Sequence, residues 1–309
     1  MRRAWLVIAV AGCGPASEPS PIERVAGAAP PRDAAVDAAA AGCTKLAFAE
    51  TTPVPEASGA AWLSLDGKPM LVVVGDSGNR GAYGIVDPDS GDTVEQGKLP
   101  LGTGDDDLEG LAARGDRLVG VTSPGWVSEW KRTAKGFSLV AGPYALGPID
   151  LSDRYKGKSG PPPDTKGMVC AEHAANCGRN YEGICLAPKP SDACVGFVAA
   201  KADGHLYCLV ERDGKLAVDR DVAIAITKPG ALADCAFDDK GALYAANNIF
   251  DASHVFRIDG WQTAATAKVV ELEAPMLGNP EVLAARGDVL YRMSDTNGPP
   301  SFMARYRCR

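Results

Sequence analysis

Helical periodicity is missing from this chain. Between Lys45 and the C-terminus no apolar pattern repeats every 3.6 residues, so an α-helical bundle or an α/β sheet with crossover helices is excluded. No tight C-x-x-C pair is present among the nine cysteines, which removes the usual structural zinc sites. There is no phosphate-binding glycine loop, no H-E-x-x-H and no dinucleotide fingerprint. Positive charge is in deficit: the net charge of −7 argues against nucleic acid or an anionic membrane surface as a partner. The N-terminal apolar run Trp5–Val10 is too short to cross a bilayer. What remains is a 309-residue chain with 35 Gly and 23 Pro, a composition suited to many short strands joined by tight turns.

A pattern recurs within it. Ala57-Ser58-Gly59-Ala60-Ala61-Trp62, Asp107-Leu108-Glu109-Gly110-Leu111-Ala112, Tyr181-Glu182-Gly183-Ile184-Cys185-Leu186, Ala233-Asp234-Cys235-Ala236-Phe237 and Pro280-Glu281-Val282-Leu283-Ala284 each begin with a polar residue leading small and apolar ones. Four are followed by a β-branched run with a polar end: Leu71–Asp76, Leu118–Ser123, Leu243–Asn248 and Val289–Asp295. Strand units repeating at roughly 40 to 50 residues are the sign of propeller blades. The expected fold is therefore all-β: a single β-propeller of about five blades. A sixth would be counted if the long insertion at 147–179, with its Gly160-Pro161-Pro162-Pro163 tract, conceals a degenerate one.

Arg2-Arg3, the apolar run and Val10-Ala11-Gly12-Cys13 have the order of a secretory signal, and the last four residues resemble a bacterial lipobox. That resemblance implies a signal peptide over residues 1–12, cleavage before Cys13 and lipid on that cysteine, with the protein held at the membrane of the bacterial envelope. Residues 13–42, rich in Ala and Pro, cannot bury enough apolar surface to fold and are expected to be a tether. The propeller domain is expected over 43–309, as a monomer. Lys45–Ala49 and Arg305–Arg307 read as terminal strands that close the ring, with Cys43 and Cys308 beside them placed for a disulfide. Cys170 and Cys177 are expected to clip the insertion; the pairing of Cys185, Cys194, Cys208 and Cys235 stays open.

In a blade the innermost strand starts, and the second strand ends, at the same rim of the central channel. The leading residues Glu109, Glu182, Asp234 and Glu281 are thus expected to converge there as an oxygen-only metal site suited to Ca²⁺ or Mg²⁺, with Ca²⁺ the cofactor expected. Ser58, Asp76, Ser123, Asn247 (with its neighbour Asn248) and Asp295 are expected to complete the rim as ligand-binding residues. Two decoys are set aside. Gly75-Asp76-Ser77 with Asp251-x-x-His254 imitates a hydrolase triad, but Ser77 only follows a strand end that the repeat already explains. Asp87-x-Asp89-x-Gly91 lacks the twelve-residue pattern of a calcium loop and reads as a turn.

The D-L-E-G-L-A, Y-E-G-I-C-L and N-P-E-V-L-A starts resemble those of SdiA-regulated and esterase-like phytase propellers, and more loosely the gluconolactonase and regucalcin type. In the gluconolactonase type, channel-facing Glu, Asn and Asp hold a divalent metal, although the full E-G-P-x-W motif is absent here. Three functions stay open: ligand binding at the acidic channel mouth through a divalent cation, metal-dependent hydrolysis of phosphoesters or lactones, and a non-catalytic structural or adhesion role. Whether the protein is an enzyme is not decided by its sequence.

Overall fold

The computed structural model describes residues 41–148, 167–226, 231–249, 252–276 and 278–308. The signal segment, Cys13 and residues 13–40 of the expected tether lie outside the described residues, as does the 149–166 portion of the insertion. The folded unit is built from strands, and no α-helix occurs among the described residues.

Four consecutive antiparallel strands make each of the first three sheets. These are β3 (Ala57–Leu65) to β6 (Thr93–Lys98), β7 (Leu108–Arg114) to β10 (Gly136–Ala145), and β11 (Tyr181–Leu186) to β14 (Lys215–Ala225). β15 (Ala231–Phe237) to β18 (Lys268–Glu273) form the fourth. The fifth consists of β19 (Asn279–Arg286), β20 (Val289–Asp295) and β21 (Ser301–Cys308), completed by β1 (Ala41–Leu46) from the other end of the chain. The short β2 (Thr51–Thr52) adds to the edge of β21. The expected five-bladed propeller, closed by both termini, is the fold found. β1 starts at Ala41, slightly ahead of the expected domain start, and its first residues also bridge in parallel to β18 of blade four.

Strand register explains how so small a ring packs. The first strands contact each other in order, β3 with β7, β7 with β11, β11 with β15, β15 with β19, and β19 again with β3. Five apolar clusters lie between successive blades. Between blades three and four, for example, Phe197 and Leu206 meet Phe237, Phe256 and Trp261. Side chains alternate between faces of a strand, so each blade offers one apolar face to each neighbour. Trp62 Nε1 donates to Ala285 O at 2.8 Å and ties blade one to blade five. Asp66-Gly67, both with positive φ, make the two-residue turn between β3 and β4 (Lys68–Gly75) that the sequence signals.

At the centre the inner strands come closer than most side chains allow. A Cβ on Gly59 would lie 2.7 Å from Leu111 N, and one on Gly110 2.7 Å from both Gly183 Cα and Ile184 N. The obstacles are backbone, which cannot swing away. Gly110→Ala is therefore expected to cost about 1–3 kcal/mol by forcing two inner strands apart. Urea unfolding measures this, and an unchanged midpoint would show that the strands have slack.

Four disulfides are present. Cys43–Cys308 and Cys170–Cys177 are the two expected pairs. Cys185–Cys235 joins the inner strands of blades three and four, and Cys194–Cys208 lies within blade three.

Candidate functional site

Each first strand carries a bulge near its start, where an extra residue opposes the second strand. The irregularity falls between Ala57 and Gly59, Leu108 and Gly110, Tyr181 and Gly183, Leu232 and Asp234, and Pro280 and Val282. The bulged residues are thus Ser58, Glu109, Glu182, Ala233 and Glu281. A bulge turns its side chain away from the regular alternation, which is how a strand can aim a polar group into a channel. On the second strands, the residue after the one that faces the last residue before each bulge is Asp76, Ser123, Lys201, Asn248 and Asp295 in turn. Together these make the mouth of the channel.

Glu109, Glu182 and Glu281 lie near one another, the last two about the same Lys201 ammonium, and all are less than a tenth exposed. Asp234 is not with them. It takes the position that Gly59, Gly110 and Gly183 hold in the first three blades, one residue beyond the bulge, so its side chain lies between blades four and five. One carboxylate oxygen accepts from Cys235 N and the other from Leu283 N, both at 2.8 Å. In a strand a one-residue offset reverses the side-chain direction, and here it removes a carboxylate from the mouth. The second strand of blade four needs the same correction. Asn247 turns into its own blade, where its Oδ1 accepts from His254 N, while Asn248 reaches the mouth and donates to Glu281 at 3.2 Å.

The mouth has two halves of different character. On the side of blades one and two, Asp76, Asp107 and Glu109 offer carboxylate oxygens all within 4.8 Å of one another. Asp107 is fixed by Ser123, whose hydroxyl and backbone N–H both donate to it. Asp76 accepts from Ser77 N. Ser58 uses its hydroxyl to donate to Leu108 O at 2.6 Å, so it binds blade one to blade two. On the side of blades three and five, Lys201 Nζ lies 2.7 Å from Glu182 Oε2 and 3.9 Å from Glu281 Oε1. Asn279 also donates to Glu281 Oε1, at 2.9 Å. Asp295 belongs to the blade-five edge, where it accepts from Asn297 N and lines an open groove of about 530 Å³ with Asn279 and Phe302.

Lys201 is the mouth residue that the sequence did not disclose. The signal was present: Gly196-Phe197-Val198-Ala199-Ala200 is the second strand of blade three, the same apolar run as in the other blades. It ends in a cation where the others end in Asp, Ser or Asn.

Crowding shapes the ionisation of these groups. Burial pushes Glu109 well above the ordinary carboxylate range, and the neighbouring charges of Glu182, Asp76 and Asp107 add to it. Burial also raises Asp76 to about 6, with Asp107 and Asp295 contributing. Glu281 rises to about 8 through burial, in spite of Lys201. Burial works against the Lys201 ammonium, yet the charge and hydrogen bond of Glu182 hold it above its usual value. Asp76 and Glu281 therefore keep protons in the folded state at pH values where the unfolded chain has lost them. Stability from this source is complete below about pH 4 and is lost as pH rises through 6 towards 8. Thermal melts in chelator are expected to fall over that window, and a flat profile would show that these carboxylates share no common field.

The donor set fits a hard cation: three carboxylates from two blades, with no nitrogen or sulfur ligand. The triad decoy is dispersed, since Ser77 follows β4 of blade one while His254 lies on β17 (Ala252–Asp259) of blade four, against Glu271. At the opposite end of the channel is a separate cavity of about 600 Å³, lined by Trp62, Leu111, Cys185, Val195 and Phe237 among others, and no carboxylate of the mouth borders it.

No protein-family model matches the chain, and no curated protein matches it. Solved structures do share the architecture. The PQQ-bound aldose sugar dehydrogenase of Streptomyces coelicolor aligns over 86% of this chain and 98% of its own, with a TM-score of 0.50 at 15% identity. The glutaminyl cyclase of Myxococcus xanthus aligns over 87% and 98%, with a TM-score of 0.48 at 15% identity. A gluconolactonase of Xanthomonas campestris aligns over 84% and 88%, with a TM-score of 0.47 at 14% identity. At such identities the likeness is one of fold, and sites are grafted onto folds independently.

Proposed function

We propose that this chain is a lipid-anchored β-propeller of the bacterial envelope, held through Cys13, that binds its ligand at the acidic channel mouth through one divalent cation, calcium by its donor chemistry. The observation that carries the reading is the convergence of Asp76, Asp107 and Glu109 within 4.8 Å. Carboxylates so close in a largely buried place repel one another unless protons or a cation compensate them. Oxygen donors on two adjacent blades, completed by solvent or ligand oxygens, suit the six to eight positions of calcium. When bound, such an ion supplies charge compensation and an attachment point for oxygen groups of a ligand. The protein's part is to fix Asp107 through Ser123 and to present Glu109 from a bulge.

Calcium at about 100 times its dissociation constant is expected to add roughly 2.7 kcal/mol to the stability of the folded state. Glu109→Gln should remove most of that gain while leaving the chelated protein folded. Melts of both proteins across millimolar calcium measure it, and an identical wild-type melting temperature throughout would refute the cation site. Lactone and phosphoester panels on the same preparation measure whether binding leads to turnover. Labelling of expressing cells with a palmitate analogue tests the anchor: Cys13→Ala must lose both label and membrane association.

A further inference from the structure

Resting on the cation-binding reading above, we infer that Lys201 is a specificity-determining residue. Its side chain fills the Glu182–Glu281 half of the mouth as a tethered cation and so confines a divalent ion to the Asp76–Asp107–Glu109 half. The geometry is that of an occupied site. Glu182 is 4% exposed at its side chain and meets the ammonium at 2.7 Å, and Glu281, 9% exposed, is 3.9 Å from the same nitrogen. Asn248 and Asn279 both donate to Glu281 Oε1. They hold its position from blades four and five. Lys201 itself is held from behind, because its backbone N–H donates to Asn180 O.

Sterics and charge both follow from this. An ammonium 2.7 Å from a carboxylate oxygen occupies the space in which a calcium ion would sit at 2.3–2.6 Å. It also supplies the single positive charge that the pair of buried glutamates lacks. The first half has no such partner: among the described residues no lysine or arginine is paired with Asp76, Asp107 or Glu109. Thus one half is neutralised by the chain itself and the other is left to an ion from solution. Removing the ammonium leaves Glu182 and Glu281 facing one another without a counter-charge, and they must take up either protons or a second cation. The negative field of the nearby Glu109 favours the cation.

Calorimetric titration with calcium distinguishes these outcomes. Wild type is expected to bind one ion, Lys201→Met two, and Lys201→Met/Glu182→Gln one. Lys201→Arg, which keeps the positive charge, should stay at one. Should Lys201→Met be unfolded in chelator, calcium is expected to restore a cooperative melt, and failure to restore it would count against the inference. A folded Lys201→Met that still binds one ion, with proton uptake in its place, overturns it. Wild type binding none while Lys201→Met binds one would refute the Asp76–Asp107–Glu109 site yet support the role of Lys201. None in either refutes both.

Discussion

Asp234→Ala is expected to destabilise the propeller by several kcal/mol, because two buried backbone N–H groups lose their acceptor at a cost of about 1–3 kcal/mol each. The carboxylate is 2% exposed and serves two backbone N–H groups, Cys235 on its own strand and Leu283 on the next blade. Burial raises its ionisation range strongly, and the two backbone hydrogen bonds and the charge of Arg292 oppose that rise. Arg292 is fully buried in blade five, and although burial lowers it to about 10 it is still charged at neutral pH. Without Asp234 both Cys235 N and Leu283 N lose their acceptor, and the charge of Arg292 loses one favourable neighbour. Asp234→Gly separates space from charge, because glycine is the residue that the first three blades use at this position. It is expected to be as damaging as alanine, whereas Asp234→Asn, whose amide oxygen can still accept one of the two bonds, should keep part of the stability. Urea unfolding at neutral pH measures all three. A loss below about 1 kcal/mol for Asp234→Ala would mean that water or relaxation replaces the two hydrogen bonds. Calcium binding should survive these changes, since this carboxylate does not face the mouth.

The Cys43→Ser/Cys308→Ser double variant is expected to lose several kcal/mol, within the usual range of about 2–5. The bond links residues 265 apart in sequence. Cys43 and Cys308 are direct partners across β1 and β21, so the bond holds the strand pair that closes the ring. Chain-entropy arguments give a closure of that length on the order of 5 kcal/mol before native-state strain. The same argument gives the Cys170–Cys177 loop, with a separation of 7, only about 2 kcal/mol. The ordering of the two variants is therefore the sharper test: equal losses would show that closure is held by packing at Phe48, Tyr291 and Met303 instead. Hydrogen exchange in the double variant should rise first in β1.

Architecture was legible because it depends on repetition. Five small-residue starts, four β-branched partners and two terminal strands determine a ring without any knowledge of contacts. The site was legible only where the repeated letters fell on the bulge. In blades two, three and five the carboxylate is the bulged residue; in blade four the bulge is Ala233 and the acid follows it. Matching acids to acids therefore shifts blade four by one residue and leaves Asn247 and Asn248 undistinguished, of which only Asn248 reaches Glu281. The small residues Cys235-Ala236 align correctly with Leu111-Ala112 and would have restored the register. Lys201 was missed because a strand end was sought by its acid or amide, whereas the equivalent position in blade three holds the opposite charge. The Cys185–Cys235 pair depends on which inner strands touch, and that follows only from the closed ring.

The close approach of Gly59, Gly110 and Gly183 also bears on traffic through the molecule. Inner strands this near one another narrow the waist, and the acidic mouth and the cavity at the opposite end have no lining residue in common. Exchange of a ligand at the mouth is therefore expected to be independent of what fills that cavity. Residence time at the mouth is expected to follow the groove edge at Asn279, Asp295 and Phe302, the side on which the rim lies open.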